Sequence, residues 1–207
     1  MKTSVLAIAL VAALPFAASA AEGLSYNYVE GGYVATNIDN DNDNDDIDAD
    51  GLGVNASVAL SPNFHLFGGF TAQESDRFDF LDSRVETDVN QWRVGLGYNL
   101  AVAANTDLVA RAAYEKIELD DVTVGGVNYD IDDGDDGYSV EVGARSALTR
   151  NLEGYALAGY EDFGGNADDF YGRLGAQVKF NPNWGLSGEV KLADGGSEWF
   201  VGPRFTW

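Results

Sequence analysis

The sequence predicts an all-β fold: a transmembrane, antiparallel, up-and-down β-barrel of ten strands, with eight as the alternative. Three observations lead there. Apolar and polar residues alternate along most of residues 24–207, and a period of two puts one face of a strand in grease and the other in a polar setting. Short turns alternate with longer or strongly acidic connections, the habit of outer-membrane barrels. Aromatic residues on the apolar face gather at the two ends of the strands, as the two membrane interfaces favour.

The elements follow in order. Lys2, the apolar stretch Val5–Phe16 and the small-residue site Ala18-Ser19-Ala20 form a Sec leader. The run is too short to span a core of about 30 Å, so residues 1–20 are expected to be removed and 21–207 to form one domain. Ten alternating segments come next, at about 24–36, 51–60, 64–74, 90–100, 106–117, 137–148, 152–162, 169–180, 184–193 and 198–207. Most have the roughly 9–11 residues of a tilted bilayer-spanning strand. Leu52, Val54, Ala56, Val58 and Leu60 alternate with Gly53, Asn55, Ser57 and Ala59; Trp92, Val94, Leu96 and Tyr98 alternate with Arg93, Gly95, Gly97 and Asn99. Tight turns are expected at Ser61-Pro62-Asn63, 101–105, Thr149-Arg150-Asn151 and Asn181-Pro182-Asn183. Five outer connections remain, at 37–50, 75–89, 118–136, 163–168 and 194–197. Five loops and four turns put both termini on the turn side, which is periplasmic, and the five acidic loops outside the cell.

Charge decides which face meets lipid. The basic residues Arg93, Arg111, Arg145, Arg173, Lys179, Lys191 and Arg204 share the polar face with Glu30, Glu115, Glu141, Glu153, Glu161 and Glu189. A lipid-facing Arg or Lys near the midplane costs about 2–4 kcal/mol, so these thirteen are expected to point into the lumen and pair there. Tyr33, Phe70, Trp92, Tyr114, Tyr138, Tyr160, Phe170 and Trp199 form the loop-side girdle, and Phe64, Tyr98, Trp184 and Trp207 the turn-side one. A barrel of about ten strands is narrow enough for side chains to fill, and unpaired buried charges are costly. A plugged lumen is therefore expected, with a small cation-selective pore as the alternative.

Composition removes other classes. Lys plus Arg is 12 and Asp plus Glu 34, a formal charge of −22, which argues against a nucleic-acid partner. Cys is absent, which excludes disulfides, iron–sulfur clusters and thiolate zinc sites. His65 is the single His, and it sits at the periplasmic end, away from the outer rim. Gly185-Leu186-Ser187-Gly188-Glu189 fails the nucleophile-elbow pattern. No catalytic residues, enzyme activity or cofactor are expected. The acidic run Asn37–Gly51 carries Asp46, Asp48 and Asp50 at the spacing of a calcium loop, but its twelfth position is Ser57 and no helices flank it. Asp46, Asp48 and Asp50, with Asp130 and Asp132 of the companion run 130–137, are candidate ligands for weak surface Ca²⁺ or Mg²⁺ among lipopolysaccharide phosphates.

The chain ends EWFVGPRFTW, with Trp199, Val201, Pro203, Phe205 and Trp207 on one face. Trp199, Val201, Phe205 and Trp207 look like the signal read by the barrel assembly machinery. Pro203 lacks a ladder donor and is expected at the barrel seam or a bulge. AEGLSYNYVEGGYV at 21–34, NFHLFGGF at 63–70, QWRVGLGYN at 91–99, EGYALAGYEDF at 153–163, DFYGRLGAQ at 169–177 and the C-terminal ten residues together resemble a small outer-membrane family of xanthomonads. That family is described as diffusible-signal-factor-regulated and was earlier proposed as a secreted trigger of rice innate immunity. The resemblance implies residence in the bacterial outer membrane and its vesicles, contact with membrane lipid and lipopolysaccharide, and a signalling or virulence role as a further alternative to a part in envelope structure or surface interaction. It implies no active site. A monomer is expected.

Overall fold

Alternating faces allow each strand to present one side to lipid only if every backbone group finds a partner in a closed ladder. In the computed structural model, which describes residues 20–38, 47–75, 78–80, 83–124, 127–164 and 168–207, that ladder closes. The expected leader over 1–20 falls almost wholly outside the described residues. The strands are β1 (Tyr28–Ile38), β2 (Ile47–Ala59), β3 (Phe64–Ser75), β4 (Phe78–Phe80), β5 (Ser83–Ala103), β6 (Thr106–Val124), β7 (Val127–Ala147), β8 (Leu152–Asp162), β9 (Asp168–Lys179), β10 (Trp184–Ala193) and β11 (Gly196–Thr206). Every pairing is antiparallel between chain neighbours, except that β1 pairs β11 and β3 pairs β5. Ten strands thus close the barrel; β4 only extends the edge of β5.

The strands run further on the loop side than the alternation suggested. β5, β6 and β7 have 21, 19 and 21 residues, roughly ten more than a bilayer crossing needs. The β6–β7 ladder continues to Val124↔Val127. Hence 118–136, expected as a loop, is mostly hairpin, and the acidic run Asp130–Gly137 lies in β7. Likewise β1 and β2 pair as far as Ile38↔Ile47, so the ends of 37–50 are strand. β-branched Val85, Thr87, Val89, Val122, Val124 and Val127 favour the extended backbone that carries these hairpins outward.

Lipid-side positions are apolar and open. Leu52 is 70 % exposed, Val142 62 % and Phe170 76 %. Aromatic residues of that face pair along it: Phe64 with Tyr98 at 5.1 Å between ring centroids, Tyr160 with Phe170 at 5.1 Å, and Trp184 with Phe205 at 5.0 Å. Among the described residues no helix is long and apolar enough to cross a membrane; the strands are the spanning elements. Val142→Arg is expected to cost about 2–4 kcal/mol of folding stability, seen as a lower urea midpoint for folding into lipid vesicles.

The turn side has a repeated clasp. In the three turns with Ser, Thr or Asn two residues before an Asn, the first side chain accepts from the backbone: Ser61 from Phe64 N at 3.1 Å, Thr149 from Leu152 N at 3.0 Å, Asn181 from Trp184 N at 2.8 Å. This holds the turn. The Asn amide then donates to the neighbouring hairpin. Asn63 reaches Asn99 O at 2.8 Å, Asn151 reaches Lys179 O at 2.9 Å and Asn183 reaches Thr206 O at 2.8 Å. Asn105 does the same to Ala147 O at 3.0 Å. Ahead of β1, Asn27 completes the ring, its side chain accepting from Ala59 N at 2.8 Å and its carbonyl from Trp207 N at 3.2 Å. The weak sequence repeat is thus a chain of links that ties one hairpin to the next.

Candidate functional site

The polar face of each strand points inward, and the thirteen charged residues assigned to it are brought together there. Arg93 and Glu115 stand opposite each other on β5 and β6, Arg111 and Glu141 on β6 and β7, and Glu30 and Arg204 across the β1–β11 seam. Opposite charges at directly paired positions are the favourable arrangement.

The inward charges form three clusters. In the lower one, the Arg145 guanidinium binds Glu153, with Nε at 2.9 Å. Lys179 lies 3.1 Å and Arg204 3.6 Å from the same carboxylate. Arg204 Nε also donates to Glu30 at 2.6 Å, and Ser187 donates to Glu30 at 2.7 Å. In the central cluster, Glu141 accepts from Arg173 Nε at 2.8 Å and from the Tyr171 hydroxyl at 3.0 Å, with Arg111 at 3.7 Å. Arg173 bridges to Glu189, which also accepts from the Tyr155 hydroxyl. Glu115 accepts from Ser139 and, at 3.3 Å, from Gln91. Towards the loop side, Lys191 donates to both oxygens of Glu161 at 2.7 and 2.5 Å. Lys191 and Arg173 face each other in register, a like-charge pair that the separate carboxylate partners relieve.

Aromatic rings between the charges are the feature that the sorting of aromatics to the membrane interfaces missed. Tyr28 lies under Arg204, with 4.1 Å from guanidinium carbon to ring centroid, and 5.9 Å from Arg145. Phe67 is 5.9 Å from Arg93 and 5.4 Å from Arg111; Tyr171 is 4.5 Å from the Lys191 ammonium and 5.6 Å from Arg173. Each contact adds a cation–π attraction. Strand parity carried the signal: Tyr28, Tyr155 and Tyr171 share the parity of Glu30, Glu153 and Arg173. Inward glycines make room for the rings. A Cβ on Gly175 would stand 2.2 Å from the Tyr155 ring, and one on Gly159 2.3 Å from that of Tyr171.

At the turn-side mouth, His65 stacks on Tyr26 at 4.4 Å between ring centroids. Gly97 opposite it leaves space for the imidazole. Buried against Ala59, Val109 and Leu157, Tyr26 belongs to a small apolar cluster. A cleft opens in the interior on the loop side. It holds a cavity of about 30 Å³, lined by Arg93, Glu115, Arg173, Glu189, Lys191 and Glu198 among others, enough for about two waters.

The remaining candidates are spread out. Asp46 lies outside the described residues. Asp48 and Asp50 are in β2, where Asp48 accepts from Asn37 Nδ2 at 2.6 Å. Asp130 and Asp132 are in β7, and their side chains lie outside the described set. Among the described residues no group of three or more His, Asp or Glu could hold a metal ion. Trp199, Val201 and Trp207 are exposed on the lipid side of β11 and its end, with Phe205 half-buried between Trp184 and Trp207.

A family model, the outer membrane protein beta-barrel domain, matches residues 4–170. No curated protein matches the sequence. Among solved structures, the translocator domain of autotransporter NalP from Neisseria meningitidis is 12% identical, with 90% of each chain covered and a TM-score of 0.56. The transport unit of the autotransporter AIDA-I from Escherichia coli is 10% identical, covering 88% of this chain and 91% of that one, with a TM-score of 0.51. Ail, the attachment invasion locus protein of Yersinia pestis, is 10% identical over 88% of this chain and 100% of its own, with a TM-score of 0.47. At these identities the likeness concerns the fold alone.

Proposed function

The chain belongs to the family of outer-membrane protein β-barrel domains, and from that premise we propose that it is a barrel with a closed lumen, serving envelope structure or surface interaction and not catalysis. The observation that supports this most is the interlocked interior. Guanidinium, ammonium, carboxylate and phenol groups from β1 and β6–β11 join in the bore, and the cleft left beside them is about 30 Å³. Ions lose hydration in such a space without a continuous file of replacement ligands. Planar-bilayer recording is therefore expected to give no reproducible conductance steps. Reproducible cation-selective steps would overturn the plug.

That second outcome defines the alternative, a narrow cation pathway, favoured by the loop-side cleft and by carboxylates at its mouth such as Glu198. In the proposed reading the leader 1–20 is removed in the periplasm. The assembly machinery reads Trp199, Val201, Phe205 and Trp207, and the monomer sits among lipid and lipopolysaccharide. The acidic hairpins then gather weakly held divalent cations around Asp46, Asp48, Asp50, Asp130 and Asp132. Resemblance to the xanthomonad family supports carriage on vesicles and, as a further reading, a signalling role.

A further inference from the structure

Asp107 begins β6 and is completely buried, at 0 % exposure. Among the described residues no Lys or Arg is within ion-pair distance of it. Its Oδ2 accepts the Tyr26 hydroxyl at 3.0 Å, and its Oδ1 lies 3.2 Å from the backbone nitrogen of Ala21. Arg145 stands opposite it in register, but its guanidinium is engaged by Glu153, and a buried carboxylate whose hydrogen bonds come from a phenol and one amide is poorly compensated.

The segment that brings Ala21 there is a built one. Leu24 N donates to Ala21 O at 3.0 Å and Glu22 N to Ala104 O at 2.8 Å. Gly23 takes φ = 84°, a left-handed conformation that suits glycine, and Lys179 donates to its carbonyl at 2.5 Å. Ala21 itself is 6 % exposed, and the turn leads directly to buried Tyr26. The residues before Ala21 are the small-residue cleavage site Ala18-Ser19-Ala20.

We propose that removal of the leader after Ala20 creates the missing counter-ion: the new α-ammonium of Ala21 pairs with Asp107 and locks residues 21–27 into the periplasmic mouth. Hydrolysis of the Ala20–Ala21 amide by water leaves a carboxylate on Ala20, which departs with the leader, and an ammonium on Ala21. A neutral amide with one hydrogen becomes a cation with three donors at a position already within reach of Oδ1. Charge-assisted bonds of this kind are shorter and stronger than neutral ones. The uncut precursor therefore has the shape of the plug without its lock, so processing and final closure of the mouth are coupled. The inference rests on the leader reading above.

The test uses the full mature protein from outer membranes. N-terminal sequencing is expected to begin at Ala21; a start elsewhere would sink the leader reading and the lock together. Given that start, reductive methylation of the α-amine, read by mass spectrometry of the N-terminal peptide, is expected to be at least tenfold slower in the native barrel than in the Asp107→Asn barrel. Equal rates would overturn the lock and leave the leader reading intact. A second variant does not touch the barrel interior: the mature chain with Gly-Ser added before Ala21, refolded in detergent. Its thermal unfolding midpoint is expected several degrees below that of the unextended chain, and Asp107→Asn should erase the difference. An extension with no effect on the native barrel would also overturn the lock.

Discussion

Glu153→Ala is expected to leave most of the chain unable to hold its folded form. Glu153 is 1 % exposed and is the anion shared by Arg145, Lys179 and Arg204. Without it, Arg204 retains Glu30, but Arg145 keeps a guanidinium, itself 3 % exposed, against the faces of Tyr26 and Tyr28, with Asp107 opposite it in register but, among the described residues, no carboxylate left within ion-pair distance. Breaking a buried pair by deleting one member costs about 3–5 kcal/mol, far more than the net worth of the pair. Refolding in detergent followed by unheated gel electrophoresis should show loss of the fast-migrating folded band, or a urea midpoint well below that of the native chain. Deleting both charges separates the two effects. In Glu153→Leu with Arg145→Leu the stranded cation is gone, and most of the stability is expected to return. Wild-type behaviour of Glu153→Ala would mean that water reaches this cluster freely, which would also undermine the closed lumen.

The residues that make this prediction possible were placed by alternation alone. A charge on a strand whose other face is aliphatic has one direction open to it, so the inward set from Glu30 to Arg204 was legible without coordinates. Who pairs with whom was not. Glu153 and Arg204 are distant in sequence and meet across the bore, where register and barrel diameter bring them together. Inner aromatics escaped because tyrosine fits either face: its ring suits an interface and its hydroxyl suits a carboxylate. The longer hairpins escaped because acidic residues outweighed the β-branched ones in 118–136, although Gly125-Gly126 between two such runs is a hairpin signal. The turn repeat was visible as letters. Its purpose, an Asn that reaches the next hairpin, requires knowing which strands are neighbours. Pro203 was expected at the seam or a bulge; it lies on β11 beside β1, and the register is the same at Glu30↔Arg204 and at Tyr33↔Val201, so no residue is inserted there.

That seam carries the second large effect. Gly202→Val is expected to keep the barrel from closing. Gly32 and Gly202 face each other where the first and last strands meet, and the strands come close enough that neither tolerates a side chain. A Cβ on Gly202 would lie 2.1 Å from Gly31 O and 2.6 Å from Gly32 Cα; one on Gly32 would lie 2.1 Å from Val201 O. Even a carbon in a weak hydrogen bond sits about 3.3 Å or more from oxygen, so the two backbones must part by about 1 Å. The obstacles are backbone atoms, which cannot rotate away as a side chain would. Overpacking alone costs about 1–3 kcal/mol, and a parted seam adds unpaired N–H and C=O groups facing hydrocarbon at several kcal/mol each. Gly172→Ala supplies the control: it is also mid-strand, yet a Cβ there meets nothing within 4 Å, and it should fold as the native chain does. Because the chain has no cysteine, Val29→Cys with Phe205→Cys, directly paired across β1 and β11, reports on the seam itself. Oxidation should link the two in the native background and in Gly172→Ala, and fail in Gly202→Val along with the folded band. Full cross-linking in Gly202→Val would show that the strands can separate locally and still close the ring, which would move the specificity of closure from this glycine pair to the Asn27 clasp below it.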